Sequence, residues 1–114
     1  MTDLISAARY GDIVRVKLLL DDKHINVNLQ DKFGWTALHC ASWNGHLEIV
    51  QLLLQDERID VNIQEENGRT ALDVAIRHNK TNVAKLLIQY KKAMVLTHVL
   101  NTKVPIELIR LIIT

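Results

Sequence analysis

The sequence predicts an all-α solenoid, in which helix–turn–helix units stack side by side and short β-hairpin-like loops join them. Three observations predict it. The stretch Asp31 to Gln64 recurs on both sides of itself at a shift of 34 residues, and a fixed period of that size marks stacked supersecondary units rather than one globule. Within each copy the apolar residues fall at helical spacing in two runs, with Gly11, Gly45 or Asn79 between them. Just under half of the residues are hydrophobic, yet the aromatics are limited to Tyr10, Phe33, Trp35, Trp43 and Tyr90, so the core must be aliphatic.

The chain reads as a single domain of 1–114, in four parts. The first, 1–30, is an N-terminal capping unit. Thr2 or Asp3 can cap a helix running through Ala8, with Leu4, Ala7 and Ala8 on one side. Gly11 breaks it, and Asp12 can cap a second helix carrying Ile13, Val16, Leu19 and Leu20. The second part, 31–64, is the complete unit. Asp31-Lys32-Phe33-Gly34 is turn chemistry, with glycine where a positive φ costs least. Thr36 is a good N-cap for a helix burying Leu38 and Ala41, and Gly45 marks the turn. His46 to Leu54 then form a helix with Leu47, Val50, Leu53 and Leu54 inward and Glu48, Gln51 and Gln55 outward.

The third part, 65–90, repeats the second. Gly68, Thr70, Ala71, Leu72, Ala75, Leu86 and Leu87 stand where Gly34, Thr36, Ala37, Leu38, Ala41, Leu52 and Leu53 stand. Asn79 replaces the turn glycine and is the residue that best tolerates the left-handed conformation expected there. After about Tyr90 the period fails, and 91–114 reads as a divergent helical cap. Met94, Val95, Val99 and Leu100 suit a continuing or new helix. Asn101 and Thr102 mark a break, and Pro105 suits the first turn of a last helix to Ile113.

The complete unit reads Gly-x-Thr-Ala-Leu-His, then Ala, then Asn-Gly-His-Leu-Glu-Ile-Val-x-Leu-Leu-Leu, then Asp-Val-Asn, and it strongly resembles the ankyrin repeat. The resemblance implies a non-catalytic protein–protein interaction module that binds through its concave face and hairpin tips. Residues at the tip and at the end of the first helix contact partners in such proteins. Here those places hold Lys32, Phe33, Trp35, Trp43 and Asn44, with Arg9 and Tyr10 in the same rows of the first unit and Arg69, Arg77 and His78 in the third. Trp43 is expected between Arg9 and Arg77, and all the aromatics outside the core. Tryptophan, tyrosine and arginine are the residues enriched at interface hot spots. An acidic or aromatic partner segment suits them.

Two departures from the family pattern bear on the fold. Asp73 replaces the imidazole with which the family commonly ties its loop (His39 in the second unit), so the third loop is expected to be looser. The joints 22–28 and 56–62 lack the usual glycine and carry an extra residue, which accounts for a period longer than the roughly 33 residues common in the family.

Composition argues against other classes. Net charge is +1, too small to draw the chain to nucleic acid or an anionic membrane. No apolar run approaches the ~20 residues that span a bilayer. The N-terminus has no secretory pattern, and the lone Cys40 reads as a buried inert thiol in a reducing compartment. A cytoplasmic protein is expected, leaving the nucleus or delivery into a host cell open. The five histidines show no zinc spacing, so no metal or cofactor is expected. His39 and Cys40 are neighbours on one helix, about 100° apart, and do not face each other as a catalytic pair would. Val104-Pro105-Ile106-Glu107-Leu108-Ile109 is similar to the opening of an F-box, which gives the alternative of a ubiquitin-ligase substrate receptor. The excess of apolar residues in 104–114 also suggests self-association.

Overall fold

A computed structural model describes residues 3–99 and Leu111. Among the described residues there are six helices and no strand: α1 (Leu4–Tyr10), α2 (Ile13–Leu20), α3 (Ala37–Asn44), α4 (Leu47–Leu54), α5 (Ala71–Arg77) and α6 (Thr81–Val99). They form successive pairs. The first helices α1, α3 and α5 pack in one row, and the second helices α2, α4 and α6 pack in another.

Each first helix begins where a side-chain oxygen meets an orphan N–H. Asp3 accepts from the Ser6 amide at 2.8 Å, and Thr36 and Thr70 open capping boxes with His39 and Asp73. Helix α1 continues to Tyr10, past the expected end at Ala8, until Gly11 turns left-handed. Asn79 takes the same left-handed turn at φ 58°, as its place in the repeat suggested. Gly34 has a second reason to be glycine, because a Cβ there would lie 3.0 Å from Glu65 Cα and Glu66 N of the next hairpin. That approach lets the Glu66 amide donate to the Phe33 carbonyl at 3.0 Å.

The core lies between the two rows and is almost wholly aliphatic. Leu38, Ala41, Val50, Leu53 and Leu54 are buried as expected, and Ile49 joins them although the sequence reading did not place it inside. Leu47 is only partly buried, and His46 precedes α4 rather than opening it. Ala7, Ala41 and Ala75 are buried at the contacts of α1, α3 and α5, where small side chains let backbones approach.

Tyr90 corrects the expectation that the aromatics stay outside the core: it is 6% exposed. The reason is the length of α6, which runs on where α4 stops. Its added turns carry Tyr90 beside Ile59 and Asp60 of the preceding joint. Burial there raises the phenol's pKa.

Both joints end their helices without a left-handed residue, since Asp21 and Gln55 are right-handed. Arg58 takes over the work of the missing glycine. Its guanidinium donates to the carbonyls of Leu20 and Asp22 at 2.9 Å and of Ile25 at 3.3 Å, and it is held by Asp56 at 2.8 Å. Asn28 adds a second tie, donating to the Arg58 carbonyl at 2.9 Å and accepting from the Asp60 amide at 2.8 Å. The joints therefore tie neighbouring units together rather than merely linking helices.

The third loop is not loosened by Asp73. Its carboxylate accepts from the Thr70 amide and hydroxyl, both at 3.0 Å, and so closes the same box that His39 closes. What Asp73 cannot do is donate onward as His39 does. Among the described residues no helix is long and apolar enough to cross a membrane. The expected last helix 105–113 and the F-box-like segment lie outside the described residues except for Leu111.

Candidate functional site

The second unit's hairpin is built by one carboxylate. Asp31 Oδ1 accepts from the amides of Phe33 at 2.8 Å and Trp35 at 2.9 Å, while the Asp31 amide donates to the Trp35 carbonyl at 2.8 Å. Lys32 and Phe33 are thereby held at an exposed tip, with the Lys32 ammonium 5.1 Å from the Phe33 ring centre. Glu65 does for Asn67 and Arg69 what Asp31 does for Phe33 and Trp35, at 2.7 and 2.9 Å.

Between this tip and the ends of α1 and α3 lies a cleft of about 350 Å³, lined by Arg9, Asp31, Phe33, Trp35, Cys40, Trp43 and Asn44. Arg9 crosses its floor, with Nη2 3.7 Å from Asp31 and 3.8 Å from Cys40 Sγ. At such distances the guanidinium is only loosely held and keeps donors for another acceptor. Phe33 and Trp43 are 48% and 47% exposed, which is unusual for large apolar side chains placed together.

The aromatic side chains form a continuous row. Trp35 packs tilted on Trp43 with ring centres 5.0 Å apart, Trp43 stacks on His78 at 5.3 Å, and Trp35 also meets His39 at 5.6 Å. The row crosses from the second unit to the third, where Trp43 meets His78, and Trp43 also lines the cleft together with Arg9.

Below the row, His39 ties the units together. Its Nε2–H donates to the Arg69 carbonyl at 2.8 Å, so Nδ1 is the acceptor, facing the Thr36 hydroxyl at 2.8 Å and amide at 3.2 Å. Burial lowers the His39 pKa, and that favours this neutral tautomer. Cys40 is buried, and desolvation raises its pKa, so it remains a thiol.

The structure thus brings together Arg9, Phe33, Trp35, Trp43, Asn44 and His78 of the residues singled out from the sequence, with Lys32 at the rim. Tyr10 and Arg77 are exposed further along the same rows, and Arg69 enters through its carbonyl. Asn44 also has a structural role, since its amide donates to the Arg9 carbonyl at 3.2 Å and to the Cys40 carbonyl at 3.0 Å. Sequence reasoning missed Asp31 and Cys40 as lining residues. Asp at the first position of a tight turn was a usable signal for the former. Cys40 carried none, because its side chain reaches the cleft only through the pitch of α3.

Comparison with known proteins supplies the family. The family model described as ankyrin repeats (3 copies) matches residues 4–97. Ankyrin repeat domain-containing protein 29 of Danio rerio is 43% identical over 42 residues, covering 37% of this chain and 14% of that protein. A solved complex of the Bd0816 predatory endopeptidase from Bdellovibrio bacteriovorus with the immunity protein Bd3460 contains a similar chain. The similarity has a TM-score of 0.71 and 35% identity, and it covers 77% of this chain and 45% of that one. This chain spans less than half the length of either relative. With the repeats matched over most of its length, on six helices in two rows, the chain belongs to the ankyrin repeat family.

Proposed function

We propose that this protein is a non-catalytic recognition module that grips a segment of a partner protein in the cleft between α1, α3 and the second hairpin. The observation that carries the reading is the exposed pair Phe33 and Trp43 beside a loosely held Arg9. Aromatic and arginine side chains grouped at a concavity are the usual anchors of protein interfaces. The solved relative, itself found in a complex of two proteins, points the same way. The guanidinium favours a carboxylate, and the ring row favours an aromatic or aliphatic side chain, so the partner segment is acidic or aromatic. Tyr10, Lys32, Arg69, Arg77 and His78 form the rim.

Catalysis is disfavoured by the state of the reactive groups. His39 uses both ring nitrogens in structure, and Cys40 is a buried thiol with a raised pKa. An unoxidised buried thiol also suits a reducing compartment such as the cytoplasm. The small net charge supports a protein partner over nucleic acid or a membrane surface.

Affinity capture followed by titration with the purified partner tests the reading. Trp43→Ala should weaken binding by ~2 kcal/mol or more, about thirtyfold, and Lys32→Ala by much less. Undiminished binding by a folded Trp43→Ala chain would refute it.

A further inference from the structure

Equivalent positions along the repeat differ sharply at the downstream end of the stack. Leu54 of the second unit is 0% exposed, because α6 packs on α4, whereas Ile88, one period on, is 39% exposed. Ser42 is likewise 0% exposed, and its equivalent Ile76 is 57% exposed. The downstream face of the third pair is therefore apolar and, among the described residues, uncovered. A groove of about 510 Å³ runs between α5 and α6 there, lined by Leu72, Ile88, Lys91, Lys92, Val95 and Leu96. Exposed apolar side chains grouped in this way mark an interaction surface.

The matching surface one unit earlier shows what shape fills such a groove. There α3 and α4 are covered by the helices α5 and α6. A helix is therefore the occupant this geometry takes, with side chains at i, i+3, i+4 and i+7 laid into the valley. From Ile88 to Leu96 the groove follows α6 for about 12 Å, which is about two helical turns. A further ankyrin unit does not suit it. Its first helix would have to pass Ile76, where the earlier pairs have the small Ala8 and Ser42.

Charge decides the kind of helix. Lys91 and Lys92 are the charged side chains of this lining, and neither makes an ion pair among the described residues. The sequence of α6 holds Lys85, Lys91 and Lys92 and no Asp or Glu. A second copy laid groove to groove would bring lysines against lysines, which is unfavourable. The sequence beyond α6 offers one carboxylate side chain, Glu107, against Lys103 and Arg110, so it does not complement the groove either. An aliphatic stripe edged with carboxylates does. We propose that this face docks an amphipathic helix of a partner protein, its apolar stripe bordered by Asp or Glu opposite Lys91 and Lys92. The surface is separate from the cleft between α1 and α3.

The probe is a fluorescein-labelled, helix-stapled peptide of about four turns, with leucine on one face and glutamate along both edges of that face. Its twin carries lysine in place of every glutamate. Titrated with the full chain and followed by anisotropy, the glutamate peptide should bind in the micromolar range, and the twin at least about tenfold more weakly. Lys91→Glu with Lys92→Glu should reverse that preference. Ile88→Asp with Val95→Asp should abolish binding of both peptides, and Trp43→Ala should leave it unchanged. Ile88, Lys92 and Val95 are exposed and Lys91 partly so, and circular dichroism should show each variant folded. Equal binding of the two peptides, binding that survives Ile88→Asp with Val95→Asp, or no binding by the folded full chain would overturn the proposal. So would uptake by vesicles of phosphatidylserine and phosphatidylcholine, or a dimer in sedimentation, that Ile88→Asp with Val95→Asp abolishes and the glutamate peptide does not displace.

Discussion

Protonating His39 weakens the set of bonds that anchors its ring, and the cost can be worked from the structure. The ring makes three hydrogen bonds: Nε2–H to the Arg69 carbonyl, and Nδ1 with the amide and hydroxyl of Thr36. At ~1 kcal/mol net each, they amount to ~3 kcal/mol, a large part of the ~5–15 kcal/mol that holds a small domain together. A proton on Nδ1 would face the Thr36 N–H and cost that bond, while the Thr36 hydroxyl turns to accept and the Arg69 bond remains. Burial is the largest cause of the lowered pKa, and it acts in the same direction. The sign follows from linkage. Above the ordinary value of 6.5 both folded and unfolded chains carry a neutral ring, and the full stability is present. Below it the unfolded chain binds a proton that the folded chain refuses. Stability then falls by up to ~1.4 kcal/mol per pH unit until the lower folded pKa is reached. Urea unfolding of wild type and His39→Gln at several pH values between about 7.5 and 5 isolates the effect, because every other side chain is common to both chains. Glutamine keeps a donor and an acceptor but does not titrate, so the stability difference between the chains should shrink as pH falls. A difference that stays constant with pH would refute the assignment of the tautomer and of the bonds.

Two further predictions concern packing and the joint. Leu38→Ala should cost ~2–5 kcal/mol, because the side chain is buried between units, whereas Leu72→Ala, at a side chain only partly buried, should cost ~1–2 kcal/mol. Equal destabilisation of the two in thermal melts would contradict this difference in burial. Arg58→Ala removes the guanidinium that donates to the Leu20, Asp22 and Ile25 carbonyls and should cost ~1–3 kcal/mol, with Arg58→Lys recovering only part of it. Full recovery by lysine would show that charge, rather than the forked geometry, is what the joint needs.

Much of the scaffold was legible because its determinants are local and periodic. Thr36, Gly45 and Asn79 act on the backbone within a few residues of themselves, and their letters announce the cap or the left-handed turn. The same period located the rows of the cleft, so the grouping of Arg9, Trp35, Trp43 and His78 followed from register alone. The ring order did not. That Trp43 stacks on His78 depends on side-chain rotamers and the pitch between units, and neither is written in the spacing. Tyr90 was misplaced for a related reason, since the period says nothing of a helix that outruns it. Arg58 was invisible because its acceptors are backbone carbonyls, which every sequence possesses.

The repeat itself shows where periodicity stops being a guide to contact. Asn28 and Asn62 are the same residue one period apart, yet Asn28 spans two units and Asn62 is exposed. Gln30 likewise donates to the Gly34 and Gln64 carbonyls, at 2.9 and 3.2 Å, and Gln64 at the equivalent place is exposed. A residue in a stacked fold thus has two sets of obligations, one to its own unit and one to the next. Within the unit the third pair keeps the pattern, as the Thr70–Asp73 box shows. Toward the next unit it abandons the pattern, putting Ile76 for a small residue and Asp73 for the imidazole that reaches onward. The relaxation is confined to the face that no repeat of the same kind covers among the described residues, while the internal rules hold.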